Sequence, residues 1–262
     1  MLRALLCTLL LSGMSMPSLA AITTQKIPYV LEQTKFEGVL VYDGAKTPRP
    51  GLLLVPNWLG INDANLKQAE LVAARGYVVF VADMYGTQAR PKDLAEAGKV
   101  AGEVKGNRRL MRARVNKALE VFLAQKNLPL DSKKLGAIGF CFGGTAALEL
   151  ARSGAKVGGV VSFHGGLGSP TPSDAKNITA KILALHGAND PYVPAAEVSE
   201  FDAEMHGTKV DWQLVKYGNT VHSFTDVGAD KPGEAQYNLT SATRAYAAMD
   251  AFFAETFGAK LK

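Results

Sequence analysis

The sequence predicts a single α/β domain wound around a mostly parallel sheet, with helices on both faces. Three observations carry that expectation. Short, nearly continuous apolar runs recur along the chain, and segments of helical length separate them. No internal repeat, low-complexity segment or interdomain linker interrupts the alternation.

The first strand signal is residues 37–43 (EGVLVYD) beside Phe36, where apolar and polar side chains partly alternate, as on a half-buried strand. The runs at 51–55 (GLLLV), 77–82 (YVVFVA), 135–139 (LGAIG), 157–163 (VGGVVSF) and 181–185 (KILAL) have no polar face and suit strands covered on both sides. Residues 210–217 (VDWQLVKY) alternate again and read as a late strand near the sheet edge. Helices are expected over 64–75, 91–104, 109–126, 145–153, 195–206 and 242–257. The Gly/Pro/Ser-rich stretch 165–173 (GGLGSPTPS) reads as a loop over one end of the sheet.

The N-terminus, MLRALLCTLLLSGMSMPSLA, has one positive charge at Arg3, a short apolar run and a small-residue ending at Ser18-Leu19-Ala20. That is the plan of a secretory signal peptide, with a run too short for a membrane span. Residues 1–20 are expected to be removed after Ala20, or one residue later after Ala21. Residues 21–262 then form the domain, in a bacterial periplasm or secreted, with no membrane partner. The formal charge of +5 loses one unit with Arg3. The densest basic stretch, Arg108, Arg109, Arg112, Arg114 and Lys117, is interleaved with Leu110, Met111, Val115 and Leu119 and reads as a solvated helix face, not a nucleic-acid site. Cleavage also removes Cys7, leaving Cys141 as the one cysteine, with no internal disulfide and no Cys/His zinc spacing.

Cys141 lies in Gly139-Phe140-Cys141-Phe142-Gly143, which fits G-x-S-x-G with cysteine in place of serine. An apolar strand runs into it and a helix-like segment follows, the context of a nucleophile elbow. The helix N-terminus then favours thiolate at Cys141. On this arrangement the chain order is nucleophile, acid, histidine. His164 and His186 precede the best acid, and His206 ends a helix away from the carboxyl edge of the sheet. His222 remains, in the loop after the last strand. Asp190 occupies the loop after strand 181–185, where an acid would orient the imidazole. No phosphate loop, metal set or dinucleotide fingerprint appears, so no cofactor is expected.

With GFCFGG at 139–144, HGANDPYVP at 186–194, HSF at 222–224, NWLGIN at 57–62 and VADMYG at 81–86, the chain resembles the dienelactone hydrolase family over residues 30–258. Its members are small α/β-hydrolases with a cysteine nucleophile. The resemblance implies a Cys141–His222–Asp190 triad attacking an ester or lactone carbonyl through an acyl-enzyme. It also implies an oxyanion hole from the backbone N–H groups of Trp58 and Phe142, and places Asn57 and Tyr85 at the pocket. Two departures stand out. Asn57 replaces the family's glutamate, which predicts a Cys141–His222 ion pair at rest. Asp226 stands where an arginine meets the substrate carboxylate, which disfavours an anionic lactone and prefers a neutral ester, lactone or thioester. Arg108, Arg109 and Arg112 remain alternatives for a second arginine. The small-molecule substrate could be a thioester on the same triad; the reading from another class is a non-catalytic binding or redox-sensing protein.

Overall fold

Apolar runs without a polar face become the middle of the sheet because helices cover both of its sides. The computed structural model describes residues 21–44 and 46–258; the expected signal peptide lies outside the described residues. Strands β1 (Ile22–Leu31) and β2 (Thr34–Asp43) form an antiparallel hairpin at one edge. Then come β3 (Arg49–Val55), β4 (Val78–Val81), β5 (Leu130–Phe140), β6 (Gly159–Phe163), β7 (Lys181–Gly187) and β8 (Trp212–Tyr217). The spatial order is β1-β2-β4-β3-β5-β6-β7-β8, parallel from β4 onward, with β8 at the far edge.

The helices are α1 (Asp63–Ala73), α2 (Leu94–Gly106), α3 (Arg108–Ala124), α4 (Phe142–Arg152), α5 (Ala195–His206) and α6 (Leu239–Thr256). Alternation along each strand divides the core in two. Leu53 and Val55 of β3 pack with Met111, Val115 and Phe122 of α3 and Leu148 of α4. Leu52 and Leu54 face Ala69 and Val72 of α1 and Met249 and Phe253 of α6. This is the two-sided cover that parallel sheets require.

Three elements differ from the sequence expectation. Strand β1 has no apolar period because only Ile27 and Tyr29 are buried in it; Tyr29 stacks on Phe36 of β2 at 5.2 Å. Helix α4 starts at Phe142, three residues early, immediately after Cys141. The basic face of α3 is not simply solvated. Arg112 pairs with Glu149 at 2.7 Å and Asp174 at 2.6 Å, and Arg114 donates to the Met84 carbonyl at 2.7 Å.

Every residue of α4 is buried, so its polar side chains must find partners inside the protein. Arg152, 1% exposed, donates to both carboxylate oxygens of Glu204 on α5 (2.8 and 2.6 Å) and to Glu149 one turn back (3.0 Å). It also donates to the Leu167 carbonyl at 2.8 Å. Thr145 donates to the Gly166 carbonyl, while Glu197 accepts from the Leu167 and Gly168 amides. The loop after β6 is thus fixed from three sides, and it forms one wall of the cleft described below. Arg152→Ala leaves Glu204 and Glu149 short of their buried partner and should cost about 3–5 kcal/mol. Urea unfolding measures this; an unchanged midpoint would show that the network carries no stability.

Candidate active site

The turn between β5 and α4 is forced by close backbone packing. A Cβ on Gly139 would lie 1.9 Å from the Gly143 carbonyl oxygen, and one on Gly143 would lie 2.0 Å from the Val55 carbonyl oxygen. Both positions therefore exclude any side chain. Between them Cys141 adopts φ 56°, ψ −119°, a region that L-residues seldom occupy. Its amide donates to the Phe163 carbonyl at 3.0 Å, which ties the turn to β6. Helix α4 begins at the next residue, so its positive N-terminal end is directed at the thiol.

The acid and the histidine reach the same sheet edge from β7 and β8. Asp190 and His222 are both buried, and Asp190 Oδ2 lies 2.7 Å from His222 Nδ1. Cys141 faces the same cleft as His222 and acts on its imidazole. Burial alone would push the imidazole pKa down, but the hydrogen bond to Asp190, the interaction with Cys141 and the charges of both outweigh it and push the pKa up to about 9. His222 is then an imidazolium at neutral pH. Its backbone is held by a small hairpin, β9 (Asp230–Lys231) and β10 (Ala235–Gln236): the His222 amide donates to the Glu234 carbonyl, and Gln236 donates to the His222 carbonyl.

Sequence elimination set His164 aside, yet its ring lies 5.2 Å from that of His222. His164 Nε2 is 2.8 Å from Thr225 Oγ1, and burial together with the His222 charge holds its pKa well below the ordinary histidine value. The signal for it was its place, a polar residue at the carboxyl end of the strand beside the elbow. His206 is exposed at the end of α5, and His186 is buried in β7.

Trp58 and Phe142 come together because Gly143 abuts the Val55 and Pro56 carbonyls. Neither the Trp58 nor the Phe142 amide donates to an acceptor among the described residues. The Trp58 loop is pinned on either side of that free amide. Tyr85 donates its hydroxyl to the Trp58 carbonyl at 2.8 Å, and burial above all pushes the Tyr85 pKa up, so the phenol stays protonated. Asn57 Oδ1 accepts from the Leu59 amide (3.0 Å) and from Asn65 Nδ2 of α1 (2.9 Å). Asn57 and Tyr85 therefore shape the loop from behind and do not line the cleft.

The cleft over Cys141 has a volume of about 660 Å³, with Trp58, Leu94, Phe142, Tyr192, Val193 and Lys105 among its walls. Asp226 is not one of them. Its amide donates to the Ser223 carbonyl and its carboxylate accepts from the Gly228 amide, within the turn that follows Ser223. The sequence-based argument against anionic substrates is thereby removed. Arg108, Arg109 and Arg112 are absent from the lining as well. Two lysines line it: Lys231, which is paired with Glu234, and Lys105, whose ammonium has no carboxylate within ion-pair distance among the described residues. Among those residues no cluster suits a metal ion, and no helix is long and apolar enough to cross a membrane.

The model of the dienelactone hydrolase family matches residues 36–257. The chain belongs to that family. Membership carries the α/β-hydrolase fold and makes the protein a hydrolase of esters or lactones. A solved dienelactone hydrolase-like promiscuous phosphotriesterase from metagenomic libraries is 38% identical, with TM-score 0.84 over 90% of this chain and 99% of its own. Protein usf of Aquifex pyrophilus is 29% identical over 86% of this chain and 98% of that protein. The human carboxymethylenebutenolidase homolog is 25% identical over 65% and 71%.

The His222 imidazole of this family member should titrate near pH 9, followed by NMR of its ring signals. Asp190→Asn removes the charge that holds the proton on, weakens the hydrogen bond to Nδ1 and leaves the burial that expels the proton. The midpoint should fall to about 6.5 or lower. Cys141→Ala should also lower it. A midpoint unmoved by Asp190→Asn would show that this carboxylate does not hold the imidazolium.

Proposed function

We propose that the protein is an exported hydrolase that cleaves a carboxylic ester or lactone through Cys141, His222 and Asp190, by way of an acyl-enzyme. The observation that carries the reading is the meeting of the Cys141 side chain, the His222 imidazole and the Asp190 carboxylate beside two unengaged backbone amides. Cys141 Sγ, as the thiolate of an ion pair with the His222 imidazolium, attacks the carbonyl carbon, and the carbonyl oxygen takes the electron pair and is held by the Trp58 and Phe142 N–H groups. As the C–O bond breaks, His222 gives its proton to the departing alkoxide. Neutral His222 then takes a proton from water, whose oxygen attacks the thioester. The thiolate leaves, the acid departs, and the proton remains on His222. Asp190 holds the ring in place and stabilises its cation throughout.

The walls suggest which esters fit. Trp58, Leu94, Phe142 and Val193 favour an apolar or flat acyl group, and Lys105 accommodates a negative charge at its rim. A thioester would follow the same steps. The metagenomic relative's description as a promiscuous phosphotriesterase makes a phosphotriester a useful comparison substrate.

Hydrolysis of p-nitrophenyl esters, neutral and anionic, a thioester and a phosphotriester should be measured before and after iodoacetamide. Activity on an ester should disappear on alkylation and fall at least about 100-fold in Cys141→Ser, whose hydroxyl is far harder to ionise. Full activity after complete alkylation would rule out thiol catalysis. Export rests on the pattern of residues 1–20. The mass of the protein recovered from the periplasm should correspond to a chain starting at Ala21 or Ile22; recovery in the cytoplasm with Met1 or Leu2 first would refute it.

A further inference from the structure

Four hydrogen bonds around the His222 ring close on themselves. Asp190 Oδ2 meets His222 Nδ1 at 2.7 Å, and the His222 amide donates to the Glu234 carbonyl at 3.1 Å. The Glu234 carboxylate accepts from the Tyr192 hydroxyl at 2.7 Å, and the Tyr192 amide donates back to Asp190 Oδ1 at 2.8 Å. Three segments distant from one another in sequence contribute: the Asp190 loop, the His222 loop and the β9–β10 hairpin. Both oxygens of Asp190 are used, one for the imidazole and one for the backbone that carries Tyr192.

The Tyr192 ring lies against the imidazole, centroid to centroid 5.1 Å and inclined at 78°. His164 also packs against His222, but it is fixed by complete burial and by Thr225. Tyr192 has no such support, since it is 50% exposed. An exposed tyrosine that must keep one orientation needs a tether, and the phenol–carboxylate bond supplies it. Lys231 Nζ, 2.5 Å from the same Glu234 oxygen, keeps that carboxylate in place.

We propose that Tyr192 is a positioning residue for His222, and that Glu234, braced by Lys231, is the anchor that holds Tyr192 against the imidazole. The inference rests on the reading of His222 as the proton-transfer group. Loss of the tether lets the phenol ring swing into solvent. The imidazole then gains rotational freedom and water beside it, and proton transfer to the leaving alkoxide becomes less frequent. Binding of a small ester, which needs little of the wall, is nearly unaffected. The signature is therefore a fall in kcat with little change in KM.

Tyr192→Phe keeps the ring and removes the tether; Glu234→Ala removes it from the other side. On a short-chain ester each should lower kcat roughly three- to tenfold, the worth of one hydrogen bond, with KM within about twofold. The double variant Tyr192→Phe/Glu234→Ala should be no slower than either single variant, because both break one link. Urea midpoints confirm that all three fold. A raised KM at unchanged kcat would make Tyr192 a substrate wall and overturn the proposal, as would losses that multiply in the double variant. His222→Gln separates the two readings. If it retains wild-type activity, the proposed function fails. If it is inactive while Tyr192→Phe and Glu234→Ala keep full kcat, only the anchor fails.

Discussion

The approach of α4 to the ends of β3 and β5 is the constraint on which the rest of the site depends. Gly143 touches the carbonyl of Val55 so closely that no Cβ fits, and Gly139 is pressed in the same way from the other side of the turn. This contact sets the backbone of Cys141, aims the first turn of α4 at the thiol and brings the Phe142 amide next to the Trp58 loop. The parallel register of β3, β5, β6, β7 and β8 then delivers the remaining groups to the same edge. Rigid strands carry the chemistry, and the side chains that would meet substrate sit on separate loops.

Behind that edge, electrostatics does what apolar packing cannot. A helix buried on every side has to accommodate Thr145, Glu149 and Arg152, and each is answered by a partner on α3, α5 or the loop after β6. Such a network is weak as a source of net stability, because desolvation offsets much of the attraction. Its geometric effect is clearer. The carbonyls and amides of Gly166, Leu167 and Gly168 are fixed, so one wall of the cleft is held by the same helix that presents Cys141.

How much of this could be read in the sequence depended on whether the deciding contact was local. The central strands were legible because burial on both faces leaves a run of apolar residues, as in GLLLV. Strand β1 was not, since it buries only two side chains and its pairing with β2 does the rest. The meeting of Cys141, Asp190 and His222 followed from an elbow motif and chain order, both sequence properties. His164 and Tyr192 were invisible because their importance lies in contacts across loops. Asp226 was misplaced for a related reason: an offset from His222 cannot tell that Ser223, at φ 55°, starts a turn in which the carboxylate accepts from the Gly228 amide and does not line the cleft. Arg112 and Arg114 belonged to a pattern that is usually solvated, and their partners lie on other elements.

Cys141 itself holds a conformation that costs an L-residue about 1–3 kcal/mol and glycine very little. The fold is thus less stable at this position than its backbone would permit. Random substitution that relaxes the turn proceeds downhill in folding free energy while deleting the thiol. A descendant with glycine at position 141 would therefore be the more robust molecule.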